Sequence, residues 1–150
     1  MKYIYGLQKS GLSLANYLIK IGESFYAWDD NEDVRKKCIL KYDNINLKKP
    51  EELNFATIKE AYITPGISFY NNKLDLLHKY KVKLLRDLNY YLNVIKHEKI
   101  IAITGTNGKS TTTKLISELI KNNSFECFIG GNIGVPLLDF KLKNDKSNYH

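Results

Sequence analysis

Short β-branched and aromatic runs alternate along this chain with stretches whose apolar residues return every three or four positions. Residues 2–6, KYIYG, predict a strand ending in glycine. Leu14, Ala15, Leu18 and Ile21 then mark one face of a helix, with Ser10 as its N-cap and Gly22 at its C-terminal end. Ser24–Trp28 predicts a second strand, stopped by Asp29, Asp30 and Asn31. Residues 32–60 are charged and weakly patterned, which predicts a short helix and irregular connections. Ala61–Ile63 gives a third strand, and Thr64-Pro65-Gly66 a tight turn at its carboxyl end. A helix over 71–80, a strand over 82–85 and a helix over 87–95 follow, the last carrying Leu88, Tyr91, Leu92 and Ile95 on one side. Ile100–Ile103 is apolar without alternation and predicts a strand buried on both faces. Leu115, Ile116, Leu119 and Ile120 line a helix that ends near Asn122 and Asn123. Ser124–Ile129 predicts a further strand, Gly130–Pro136 a glycine-rich loop, and Leu137–Lys143 the start of a helix or coil.

Strands alternating with helices predict an α/β fold with parallel sheets. A Rossmann-like domain is expected over 1–95, and a second α/β domain begins at 96 and runs to 150.

Hydrophobic residues make up 43% of the chain, enough for a core, so disorder is not the expectation. No apolar run is long enough for a membrane span, and the N-terminus has no signal-peptide pattern. Cys38 and Cys127 lie far apart without metal-ligand spacing, so reduced thiols in a cytoplasmic protein are expected. His78 has no second ligand at metal spacing, and a surface or packing role is expected. The net charge is +7, yet only Arg35 and Arg86 among the 23 basic residues are arginine. Lysines scattered this way fit a solvated surface better than a nucleic-acid reader, which favours the planar arginine fork.

Two stretches carry candidate chemistry. Thr104-Gly105-Thr106-Asn107-Gly108-Lys109-Ser110-Thr111 lies between the predicted strand and helix. The glycines let backbone N–H groups point at an anion, and the helix start adds its positive dipole end. Lys109 can reach terminal phosphates and the Ser110 hydroxyl can coordinate Mg²⁺. The standard pattern would need glycine at 103, where Ile103 stands, so this is a shorter phosphate loop with the same Gly-Lys-Ser core. The second stretch is Gly6-Leu7-Gln8-Lys9-Ser10-Gly11, between the first strand and first helix. It approximates the dinucleotide fingerprint, but Gln8 occupies the position where glycine would let the backbone meet a pyrophosphate. This weakens NAD or FAD binding and leaves open a differently held nucleoside diphosphate, or a turn with no ligand.

GLQKSG, ITGTNGKSTTT and GGNIGVP, in that order, resemble the Mur ligase family, and most closely its D-glutamate-adding type. The resemblance covers the whole chain but only about the first third of the usual protein. It implies an ATP-dependent ligase that phosphorylates the carboxylate of UDP-N-acetylmuramoyl-L-alanine. The amine of D-glutamate then attacks the acyl phosphate, in peptidoglycan precursor synthesis. ATP and Mg²⁺ are the implied cofactors. Gly105, Thr106, Asn107, Gly108, Lys109, Ser110 and Thr111 are the implied ATP-binding residues, with Lys109 on the terminal phosphates and Ser110 on the metal. Asn132 is implied to contact the muramoyl substrate near the reacting end. Leu7, Gln8, Lys9, Ser10, Asp29 and Gly66 are implied to hold the UDP part. Asp30 and Asn31 stand where some relatives carry Thr-Arg, which puts one charge contact in doubt. A monomer acting on small molecules, with neither nucleic acid nor membrane as partner, is expected. The family's second Mg²⁺ carboxylate and its C-terminal amino-acid-binding domain have no counterpart here, so this chain alone is expected to lack ligase activity. The alternatives are a UDP-sugar-binding module without catalysis, or another Mur-type or folylpolyglutamate-type ligase.

Overall fold

The computed structural model describes residues 1–42, 45–95, 99–131 and 135–139. The chain divides into two compact units, Met1–Tyr90 and Tyr91–His150. The expected boundary after residue 95 adjoins residues 96–98, which lie outside the described set.

The first unit is a five-stranded parallel sheet. Its strands are β1 (Lys2–Tyr5), β2 (Phe25–Trp28), β3 (Asn46–Leu47), β4 (Glu60–Ile63) and β5 (Lys83–Leu85), in the spatial order β3-β2-β1-β4-β5. Register is set by Tyr5 opposite Trp28 on one side and opposite Ile63 on the other. The helices are α1 (Lys9–Lys20), α2 (Glu32–Lys41), α3 (Asp75–Lys79) and α4 (Asp87–Val94), the last crossing the division between the units. The predicted Rossmann-like α/β class is therefore the observed one.

Strand alternation sends side chains to opposite faces. Tyr3 and Tyr5 enter a cluster with Leu53, Ile58, Ala61, Ile63, Leu74, Leu77 and Val82. On α1, Leu14, Ala15 and Leu18 are buried, as their spacing predicts. The ring of Tyr90 meets those of Tyr17 and Tyr62 edge-on at 5.9 and 5.6 Å.

Several local expectations are corrected. Ser10 does not cap α1: the helix starts at Lys9, its N-cap is Gln8, and no side chain caps it. Gly22 does follow the helix end, with φ +72°. The short helix expected in the charged stretch after β2 does form, as ten residues, because the Asn31 side chain accepts from the N–H groups of Asp33 and Val34 and Glu32 and Asp33 occupy its first turn. The two-residue β3 has no pattern of its own and exists through its ladder to β2. On α4, Leu88 and Leu92 are exposed, and Tyr90 and Tyr91 are the buried residues.

In the second unit α5 (Lys109–Asn122) follows the glycine loop as predicted. The strands expected at 100–103 and 124–129 do not form. Among the described residues of this unit, bridge pairing is confined to single residues at Lys99, Cys127, Gly130 and Val135. Ile100, Ile101 and Phe125 are exposed, as are Leu115 and Leu119 on α5. A strand buried on both faces needs ladder partners and covering helices, and α5 is the one long helix among the described residues of this unit. Leu137–Asp139 forms a short 3₁₀ turn.

Candidate functional site

The sheet order places a topological switch point at β1 and β4. The connection from β1 leads to β2 on one side, and β4 pairs on the other. In open α/β sheets the crevice at the carboxyl ends of two such strands is where ligands bind. Here the turn after β1, Gly6-Leu7-Gln8, faces the turn after β4, Thr64-Pro65-Gly66.

The first turn is held by close contacts. Gly6 has φ +100°, a conformation that favours glycine. A Cβ there would lie 2.1 Å from Thr64 Oγ1, and one on Gly11 would lie 1.8 Å from the Gly6 carbonyl oxygen. The Gly6 N–H donates to Trp28 O at 2.7 Å, and the Thr64 N–H donates to Tyr5 O at 3.0 Å. These contacts bring the start of α1 onto the edge of the sheet. Its uncapped first-turn N–H groups can face an anion. Gln8 and Lys9 are exposed there and Ser10 is half-buried. The Leu7 side chain, by contrast, is fully buried, so Leu7 offers a ligand only its backbone.

Asp29 at the end of β2 is buried. One carboxylate oxygen accepts from the Leu7 N–H at 2.7 Å and the other from the Asn31 N–H at 2.9 Å. Both oxygens thus anchor the turns that a ligand would meet. Gly66 is exposed, with open space where a side chain would stand.

Three side chains that sequence reasoning did not select complete the rim. Arg86, just after β5, donates through one guanidinium nitrogen to the carbonyls of Ile63, Thr64 and Ile67 at 3.1, 2.7 and 2.9 Å. It also lies 3.9 Å from the centre of the Phe69 ring. Arg35 on α2 donates to the carbonyls of Asp29 and Asp30 at 2.7 and 2.9 Å and stacks on Trp28 at 4.2 Å. Lys73 forms an ion pair with Asp30 at 2.7 Å, and the Tyr5 hydroxyl donates to the same carboxylate at 2.9 Å. Partial burial pushes the Asp30 carboxyl up, but the bonds from Lys73 and Tyr5 outweigh it and hold the group below its usual range. The arginines' scarcity in a lysine-rich chain was the one sequence signal that could have marked them.

The second candidate site is the loop before α5. Gly105 and Gly108 have φ +145° and +76°, and Gly108 is the N-cap of α5. Thr106, Asn107, Ser110 and Thr111 are exposed. No acidic residue lies in the first turn, so nothing there opposes an incoming phosphate. The Lys109 ammonium bends back to donate to the carbonyl oxygen of Gly105, and to that of Thr106 at 3.2 Å. Thr113 Oγ1 donates to Lys109 O at 2.8 Å. The Ser110 hydroxyl is a hard oxygen donor suited to Mg²⁺. Among the described residues no group of three His, Cys, Asp or Glu side chains could hold a metal by itself. Asn132 lies outside the described residues.

His78 Nε2 is 2.7 Å from the Phe69 carbonyl oxygen, a local contact. Both cysteines are free, and burial raises the pKa of the Cys38 thiol. No described helix is long and apolar enough to cross a membrane.

No protein-family model matches the chain. The chain is 37% identical over 151 residues to the UDP-N-acetylmuramoylalanine–D-glutamate ligase of Wolbachia sp. subsp. Brugia malayi, covering 97% of this chain and 30% of that protein. It is 32% identical to the Rickettsia prowazekii enzyme of the same name, covering 95% and 32%, and 35% identical to that of Rhizobium meliloti, covering 90% and 30%. The chain thus spans about a third of the length of the curated relatives it matches.

Proposed function

We infer that the chain belongs to the Mur ligase family, which its sequence resembles, and that it supplies the UDP-substrate-binding unit and the phosphate loop of an ATP-dependent ligase. That ligase adds D-glutamate to UDP-N-acetylmuramoyl-L-alanine. The observation that carries the reading is similarity along nearly the whole chain to enzymes named for that reaction. The two anion-facing turns support it.

A carboxylate is a poor electrophile at neutral pH, so amide formation needs activation. Transfer of the γ-phosphoryl group of ATP to the L-alanine carboxylate gives an acyl phosphate and ADP. The amine of D-glutamate adds to the acyl carbon, phosphate leaves with the C–O bond electrons, and the amine loses a proton. The chain's part is positioning and charge stabilisation. The backbone N–H groups of Asn107, Gly108 and Lys109 cradle phosphate oxygens, with Gly105 and Thr106 shaping the loop and Thr111 at its helical end. Lys109 exchanges its two loop carbonyls for the β/γ-phosphates. Ser110 would hold Mg²⁺, which would supply charge neutralisation at the phosphates. Asn132 contacts the muramoyl substrate near the reacting carboxylate.

In the first unit the N-terminus of α1, with Gln8, Lys9 and Ser10, faces the diphosphate. Gly66 leaves room for the uracil ring above its backbone, and Asp29 shapes the turn through Leu7. The cytoplasm, where nucleotide-activated precursors are made, is the proposed location, and the chain acts as a monomer.

Calorimetry on the 150-residue chain tests the reading in parts. UDP-N-acetylmuramoyl-L-alanine is expected to bind one site, and ATP with Mg²⁺ a second. A phosphate-release assay with both substrates and D-glutamate asks whether the chain turns over alone. Binding without release marks it as a UDP-sugar-binding module by itself. Absence of UDP-sugar binding sinks the assignment of the first unit.

A further inference from the structure

Two acids in succession end β2, and they do opposite things. Asp29 is buried, and each of its oxygens already accepts a backbone N–H. Asp30 leaves its side chain 43% exposed at the carboxyl edge of the sheet. The Tyr5 hydroxyl sits within 2.9 and 3.0 Å of its two oxygens, and Lys73 donates to Oδ2 at 2.7 Å. An ionised carboxylate offers about four acceptor positions; Tyr5, Lys73 and Trp28 take three, and one remains on the exposed side.

The partners come from three places. Tyr5 immediately precedes the Gly6 turn, Asp30 immediately follows Asp29, and Lys73 follows the Gly66 turn in a 3₁₀ turn, Asn72–Leu74. All three surround the crevice mouth. Lys73 reaches Asp30 across 43 residues of sequence. It joins the segment after β4 to the end of β2 and neutralises a negative charge that would otherwise repel an anionic ligand.

A carboxylate held beside a diphosphate site does not face the phosphates, because like charges repel. It faces neutral donors. In the dinucleotide-binding form of this fold an acid at the end of the second strand accepts from the ribose 2′-hydroxyl, and Asp30 stands at the corresponding edge with an exposed acceptor position. We propose that Asp30, positioned by Lys73 and Tyr5, is the acceptor for the ribose 2′-hydroxyl of the nucleoside diphosphate bound at this crevice. The inference rests on the UDP-binding reading above and names the residue that selects a ribonucleotide there. Asp29 has the sequence position for that task but is buried, with both oxygens turned to backbone N–H groups of the fold.

The test is calorimetry on the full chain with UDP and with 2′-deoxy-UDP. A hydrogen bond to a charged acceptor discriminates by about tenfold or more, so the native chain is expected to prefer UDP by at least about that factor. Asp30→Ala is expected to bring the two affinities together. Lys73→Met is expected to shrink the preference and Lys73→Arg to restore it, with the thermal midpoint followed in each variant to separate misplacement from unfolding. Equal affinity of the native chain for both ligands overturns the proposal. So does a preference that survives Asp30→Ala, or a folded Asp30→Ala chain that loses affinity for both ligands by the same factor, which would place the acid on the base. Failure of UDP itself to bind overturns the UDP-binding reading and this inference together, and is distinguishable from every other outcome.

Discussion

The turn after β1 and the loop before α5 both lead into a helix N-terminus, and they are built in opposite ways. In the first, neighbours close in on the backbone: Gly11 lies against the Gly6 carbonyl, Gly6 against the Thr64 side chain, and the Asp29 carboxylate fastens the Leu7 N–H. In the second, the nearest neighbour to a Cβ on Gly105 is the Asn107 carbonyl oxygen at 3.7 Å, and none lies within 4 Å of one on Gly108. Lys109 there donates to carbonyls of its own loop. The stretch with the weaker motif is the more tightly packed, and the stretch with the stronger motif closes on its own lysine. Motif strength reports chemistry, whereas rigidity reports how many neighbours a turn must satisfy.

Substitutions measure that contrast. Gly11→Ala sets a methyl group 1.8 Å from a backbone oxygen that belongs to the turn itself. It is expected to destabilise the first unit by about 3 kcal/mol or more, read by chemical denaturation. Asp29→Ala leaves two N–H groups without their acceptor and is expected to remove about 2–3 kcal/mol, with loss of UDP binding. A near-native denaturation midpoint for either variant would break the comparison.

Alkali sharpens it next. Burial raises the phenols of Tyr3, Tyr5 and Tyr62 well above their ordinary range and pushes Tyr90 up to about 12. The unfolded chain releases these protons near pH 10 and the fold keeps them. The contribution to stability is therefore complete below about pH 10 and falls as pH rises toward 12 and beyond. Circular dichroism across that window is expected to show the first unit unfolding as tyrosinate absorbance appears. Tyrosinate that appears in full at pH 10 in the folded chain would contradict it.

Smaller effects belong to the second loop. Gly108→Ala forces a left-handed conformation on alanine without a clash and is expected to reduce stability by about 1 kcal/mol. Lys109→Ala is expected to shift stability by less than about 0.5 kcal/mol, because its two acceptors are exposed, while ATP binding is lost. A large fall in stability with Lys109→Ala would show that the two turns are built alike.

The elements legible in the sequence are those whose pattern is local. The periodicity of Leu14, Ala15 and Leu18, the run before Gly6, and the Pro65-Gly66 turn each carry their own signal. Features that depend on a distant neighbour were not legible. The strand β3 is two residues long and is defined by pairing with β2. The apolar run at Ile100–Ile103 reads as a buried strand, yet a strand is a relation between segments, and Ile100 and Ile101 stand exposed. The candidate site divides the same way. The glycine loop leading into α5 was readable because its residues are contiguous. The anchoring role of Asp29 depends on where the Leu7 N–H falls, and the link from Asp30 to Lys73 spans 43 positions.

Arg86 and Arg35 stand out against the chain's 21 lysines, the remainder of its 23 basic residues. Each is half-buried and clamps backbone carbonyls at the rim. A lysine ammonium could supply the charge at either place, but not the flat fork that stacks on Phe69 or Trp28 while it donates. For anyone recoding or diversifying this chain, basic positions therefore form two populations. Arginine and lysine are interchangeable over most of the surface, whereas at 35 and 86 the exchange uncouples the walls of the crevice while leaving net charge, and any assay that reads only charge, unchanged.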